Sequence, residues 1–68
     1  MKPIERLIKE YKSYLSEEDE QLLSWFYDRY RAMKKFALDC NLVEIEEVNS
    51  METKALIEWE SSLTNSAQ

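Results

Sequence analysis

The sequence predicts an all-α fold: a small three-helix domain, built from an N-terminal amphipathic helix and a helical hairpin and assembled as a dimer. Three observations carry this expectation. The 68 residues contain no Gly and a single Pro, and Glu, Leu and Lys are abundant. Such a composition favours helices with short connections and lacks the turn residues of a sandwich or barrel. Apolar residues recur at the 3, 4 spacing of a helical face along most of the chain. Finally, five of the eight aromatic residues fall in one segment, Leu22 to Phe36 (LLSWFYDRYRAMKKF), too wide in apolar surface for an ordinary surface helix. A chain this short is near the lower limit for stabilising itself by its own burial, which is why a second copy is expected.

The first helix is expected from Pro3 to Leu15. Proline suits a first helical turn, and Ile4, Leu7, Ile8, Tyr11, Tyr14 and Leu15 share one face. The opposite side, Glu5, Arg6, Lys9, Glu10 and Lys12, keeps the helix soluble, with Glu5 and Lys9 spaced for an i, i+4 pair. Ser16-Glu17-Glu18-Asp19 reads as a break and restart, with Ser16 as N-cap and the acidic residues set against the positive end of the next helix.

The second helix is expected from Glu17 to Cys40, acidic in its first turn and basic at Lys34 and Lys35. Asn41 then stands as a left-handed terminating residue. At about 100° per residue, Leu22, Leu23, Phe26, Tyr27, Tyr30, Met33 and Ala37 cluster on one side, and Trp25, Ala32 and Phe36 widen the apolar arc to roughly 200°, where little over about 100° suffices for a surface helix. Either two other helices of the chain clasp this helix, placing it at the centre of the domain, or part of it is covered by another molecule. Leu22, Phe26, Tyr30, Met33 and Ala37 are expected to form the inner core, with Cys40 packed beside them as a small apolar residue.

Beyond Asn41, Val43 and Ile45 alternate with Glu44 and Glu46 as in a strand, but a lone strand has nothing to pair with. Read as helix, Leu42, Ile45, Val48, Ala55, Leu56, Trp59 and Leu63 fall on one side, with Glu52 intruding. A short helix, a kink near Asn49 or Ser50, and a final helix from Met51 to Leu63 are expected. Residues 1–63 then form one helical domain, and 64–68 a polar, frayed tail.

Several function classes are disfavoured. Without histidine, a Ser-His or Cys-His nucleophile and any His-containing zinc site are excluded; without glycine, phosphate-cradling loops are excluded too. The carboxylate pairs Glu44 with Glu47, Glu17 with Glu20, and Glu58 near Glu60 read as solvated or capping residues, not as catalytic or calcium-binding groups. No enzyme activity, cofactor or metal is expected. One cysteine cannot form an internal disulfide, and the charged N-terminal residues lack a signal peptide's apolar run, so a cytoplasmic protein is expected. No segment approaches a membrane span.

The net charge is −5, but it is segregated: +2 over residues 1–15, −5 over 16–28, +4 over 29–35 and −6 over 36–68. The basic cluster Arg29, Arg31, Lys34, Lys35 therefore sits on the aromatic helix, flanked by acidic blocks that oppose nucleic-acid binding. The preferred reading is a non-enzymatic protein-binding module, a small acidic adaptor, regulator or inhibitor. Its contact surface is the Trp25, Arg29, Ala32, Phe36 flank, because Trp and Arg are the residues most enriched at binding hot spots. One alternative is a nucleic-acid mimic that uses Glu44, Glu47 and Glu58 as an ordered electrostatic surface. Another is a weak nucleic-acid binder using the basic cluster, with aromatic interleaving as in single-strand binders.

Overall fold

A computed structural model describes residues 2–66, and among them every regular element is helical. The helices are α1 (Pro3–Ser16), α2 (Glu20–Asp39) and α3 (Ile45–Ser66). Pro3 opens α1, and the Glu5 carboxylate accepts the Lys2 backbone N–H at 3.2 Å. The chain leaves α1 at Glu17, whose carboxylate accepts the N–H groups of both Glu18 and Asp19 at 3.1 Å.

Asp19, not Ser16, is the N-cap of α2. Its Oδ1 accepts from the backbone of Gln21 at 2.9 Å and of Leu22 at 3.3 Å, while Ser16 closes α1. The acidic run thus works as the linker and cap, and the second helix begins later than its charge order implied. Replacing Asp19 with Ala is expected to destabilise the domain by about 1 kcal/mol, whereas Ser16→Ala should change it little; thermal unfolding of both variants checks this.

At the other end of α2, Asn41 takes the expected left-handed conformation, with φ 58°. Its N–H donates to the Leu38 carbonyl at 3.1 Å and that of Leu42 to the Ala37 carbonyl at 2.9 Å. This double bond pattern ends a helix while satisfying its last carbonyls. Cys40 caps the helix and is exposed, contrary to the packed position its spacing suggested. Residues 42–44 form a connection instead of helix, with Val43 turned into the core.

α3 then runs unbroken through the expected kink near Asn49 and Ser50. It extends past Leu63 to Ser66, and Thr64 donates its hydroxyl to the Glu60 carbonyl at 3.1 Å. Part of the tail expected to fray, residues 67–68, lies outside the described residues. The buried face of α3 is Val48, Met51 and Ala55: Val48 and Ala55 are where the spacing placed them, Met51 joins them, and Ile45, Leu56 and Leu63 are exposed instead. The three buried residues follow the 3, 4 spacing of one helical face, and Met51 and Ala55 lie along Ile4 and Ile8 of α1.

The helix in the middle is α1, not the aromatic α2. Its apolar stripe serves two neighbours at once. Leu7, Tyr11 and Tyr14 turn to α2, with Tyr11–Tyr30 ring centroids at 5.0 Å and Tyr14–Tyr27 at 5.2 Å, while Ile4, Ile8 and Leu15 line the grooves along α3. The charged margins follow: Glu10 pairs with Arg29 of α2 at 3.3 Å and Lys12 with Glu58 of α3 at 3.4 Å. The core is Leu7, Tyr30, Ala37, Val43, Val48 and Met51. With one narrow helix between two longer ones, the molecule is elongated. Its radius of gyration is 12.8 Å, against about 11 Å for a compact chain of this length.

Candidate functional site

The aromatic helix is covered on one side only. Tyr30 is 1 % exposed and Ala37 is buried, and Phe26 and Met33 are half-buried, but Leu22, counted on spacing with the inner core, is 46 % exposed. Half of an already narrow α1 stripe cannot cover an arc of about 200° on α2. The uncovered remainder includes the Trp25, Arg29, Ala32, Phe36 flank. All four are exposed, Trp25 by 54 % and Phe36 by 64 %.

The flank is ordered by its charge. The Arg29 guanidinium is held by Glu10 at 3.3 Å and lies over the Trp25 ring at 5.5 Å from its centroid. Trp25 also meets the Phe26 ring, with centroids 5.1 Å apart. An indole fixed by a cation on one side and a neighbouring ring loses less conformational freedom when it is covered, which favours binding. At the far end, Phe36 borders an open apolar groove of about 550 Å³ formed with Pro3, Leu7, Met33 and Leu42.

The basic cluster is divided in the fold. Arg29 is committed to Glu10, Lys34 to Glu52 at 3.3 Å, and Arg31 lies over the Tyr27 ring at 5.7 Å. Of the acidic triplet, Glu44 donates its backbone N–H to the Glu47 carboxylate at 3.5 Å at the start of α3, and Glu58 is paired with Lys12. Glu47 and Glu58 share one groove with Lys12 and Lys54, so cations interrupt the carboxylate row.

Glu52, which appeared in the sequence only as an intruder on the apolar face of α3, is the polar link between α2 and α3. Its Oε2 accepts the buried Tyr30 hydroxyl at 2.7 Å and the Lys34 ammonium at 3.3 Å. Burial first, and then the hydrogen bond to Glu52, push the Tyr30 phenol far above its usual range. Burial likewise raises Tyr11, with Glu52 a smaller cause. A lone carboxylate at a core-facing register opposite a tyrosine was the available signal for this pair. Among the described residues no buried side-chain polar atom lacks a partner, and no group of three or more Cys, Asp or Glu side chains converges as metal ligands. No helix there is long and apolar enough to cross a membrane. Compared with protein-family models, with curated proteins and with solved structures, the chain matches none.

Proposed function

We propose that this chain is a non-enzymatic protein-binding module, a small acidic adaptor, regulator or inhibitor whose contact surface is the Trp25, Arg29, Ala32, Phe36 flank of α2. The observation that carries this reading is the exposure of Trp25 and Phe36, 54 % and 64 %, on a helix whose other face is a well-packed core. Exposed large apolar residues scattered singly need no explanation, but an aligned pair joined by an ordered Arg fits an anchor for another protein. The partitioned cations and carboxylates give the rival nucleic-acid readings no comparable continuous surface.

The test compares wild type with Trp25→Ala, Phe36→Ala and the double variant, measuring capture of protein partners from the native host, self-association and helicity together. Retained helicity with lost capture or lost self-association supports a binding flank. Lost helicity with unchanged assembly would assign these side chains to the fold. A Glu44→Lys, Glu47→Lys, Glu58→Lys variant serves as the control surface, and binding is expected to survive it.

A further inference from the structure

We infer that the occupant of this flank is a second copy of the same chain, docked antiparallel so that Trp25 of each copy covers Phe36 of the other. The inference rests on the binding reading above and names its partner. Three observations lead to it.

The first is spacing. Trp25, Arg29, Ala32 and Phe36 follow one another at intervals of 4, 3 and 4, a pattern unchanged when the chain direction is reversed. A two-fold interface needs self-complementarity, residue i meeting j while j meets i. Antiparallel pairing in this register sets Trp25 opposite the second copy's Phe36 and Arg29 opposite the second copy's Ala32. Aromatic meets aromatic, and the largest polar side chain of the flank meets the smallest. Ala32 is exposed and ends at its Cβ, which lets the two helices approach closely at this level.

The second observation is charge. Two chains of net charge −5 repel as wholes, so contact requires a surface that escapes that sign. Glu10 and Glu52 occupy Arg29 and Lys34 within the chain. The cleft beside Ala32 then presents Asp28 and Asp39 with Arg31 and Lys35, equal in number and opposite in sign. Among the described residues, none of these four is in an ion pair. In the antiparallel register Asp28 and the second copy's Lys35 lie on the same side of the contact, offset by about 3 Å along the axis, and the dyad makes this pair twice.

The third observation is size. An elongated chain near the lower limit for self-burial leaves Leu22, Trp25 and Phe36 uncovered on a single helix of 20 residues. A paired copy covers that whole length at once, whereas a short peptide would cover only part of it.

The register is tested by disulfide trapping. In a Cys40→Ser background, Ala32→Cys places the two thiols close to the dyad, offset by about 4.5 Å along the axis, within reach of a disulfide between closely packed helices. The natural Cys40 residues of the two copies are about 28 Å apart along the same axis and cannot join. Mild oxidation is therefore expected to link the Ala32→Cys variant and leave wild type unlinked.

Charge exchange gives a readout that leaves the core untouched. Asp28→Lys and Lys35→Asp should each weaken dimerisation about fivefold, and the two together should restore it. Linking through Cys40 overturns the antiparallel register, and a dimer indifferent to Asp28→Lys overturns the interface. A chain that stays monomeric at high concentration overturns the second copy as occupant. If such a monomer still captures another protein through Trp25 and Phe36, the binding reading stands without this inference; if neither assembly nor capture depends on them, both fall.

Discussion

Replacing Tyr30 with Ala is expected to remove about 3–5 kcal/mol of stability, the loss typical of a buried aromatic truncated in a packed core. A domain of this length holds about 3–10 kcal/mol in total, so the variant should be largely unfolded at physiological temperature. The reason is position as much as size. Tyr30 is fully buried, meets the ring of Tyr11 of α1 and donates to Glu52 of α3, so one side chain ties all three helices together. Tyr30→Phe keeps the ring and loses the hydroxyl bond. Glu52 keeps Lys34 as a partner and is partly exposed, so the expected cost is only about 1 kcal/mol.

The same hydroxyl gives a pH signature. Its folded pKa is raised above the usual phenol value of about 10, chiefly by burial and then by the bond to Glu52, so the folded state holds the proton more tightly than the unfolded state. The associated stability is fully present below about pH 10 and is lost progressively as pH rises above it. Tyr11 acts in the same direction. Urea unfolding between about pH 8 and about pH 11 should show a steeper loss for wild type than for Tyr30→Phe.

The second large effect is on association. Trp25→Ala and Phe36→Ala together are expected to weaken binding through the flank by at least about 100-fold, since central aromatic anchors each contribute about 2 kcal/mol or more. Their effect on the isolated domain should be small, within about 1 kcal/mol, because more than half of each side chain is already in water. The contrast with Tyr30→Ala is the point: two aromatic residues on one helix, removed alike, should act on different equilibria. Binding measured by sedimentation and stability measured by denaturation separate them.

The helical class, the first helix and the left-handed Asn41 were legible because each rests on local chemistry: 3, 4 spacing, a first-turn proline and the tolerance of asparagine for positive φ. The exposed Trp25 and Phe36 were legible as an excess of apolar arc. What the spacing could not reveal was which helix would sit in the middle. α2 has the widest apolar surface, yet α1 is central because its own apolar residues are divided between two neighbours, Tyr11 and Tyr14 meeting α2 and Ile4, Ile8 and Leu15 lining grooves along α3.

The α3 face was misjudged in part. Val48 and Ala55 were placed inward and are buried, but Ile45, Leu56 and Leu63, counted with them, are exposed and Met51 takes the inward position. Cap assignment also turned on competition among neighbours. Ser16 and Asp19 are both good N-caps, and the Glu17 carboxylate, by bonding the N–H groups of Glu18 and Asp19, held the linker open until Asp19. Glu52 stood out in the sequence only as a lone carboxylate on an apolar face; local spacing could not name its partner, because Tyr30 lies on another helix.

The most direct measurement is urea unfolding of wild type and of the Trp25→Ala, Phe36→Ala variant, each at a low and a high protein concentration. A flank that binds a second copy links assembly to folding. The wild-type midpoint should then rise with concentration, while the variant's should stay fixed near the dilute wild-type value. A wild-type midpoint independent of concentration, with a variant several kcal/mol less stable at both, would contradict this and make the flank part of the fold's own support.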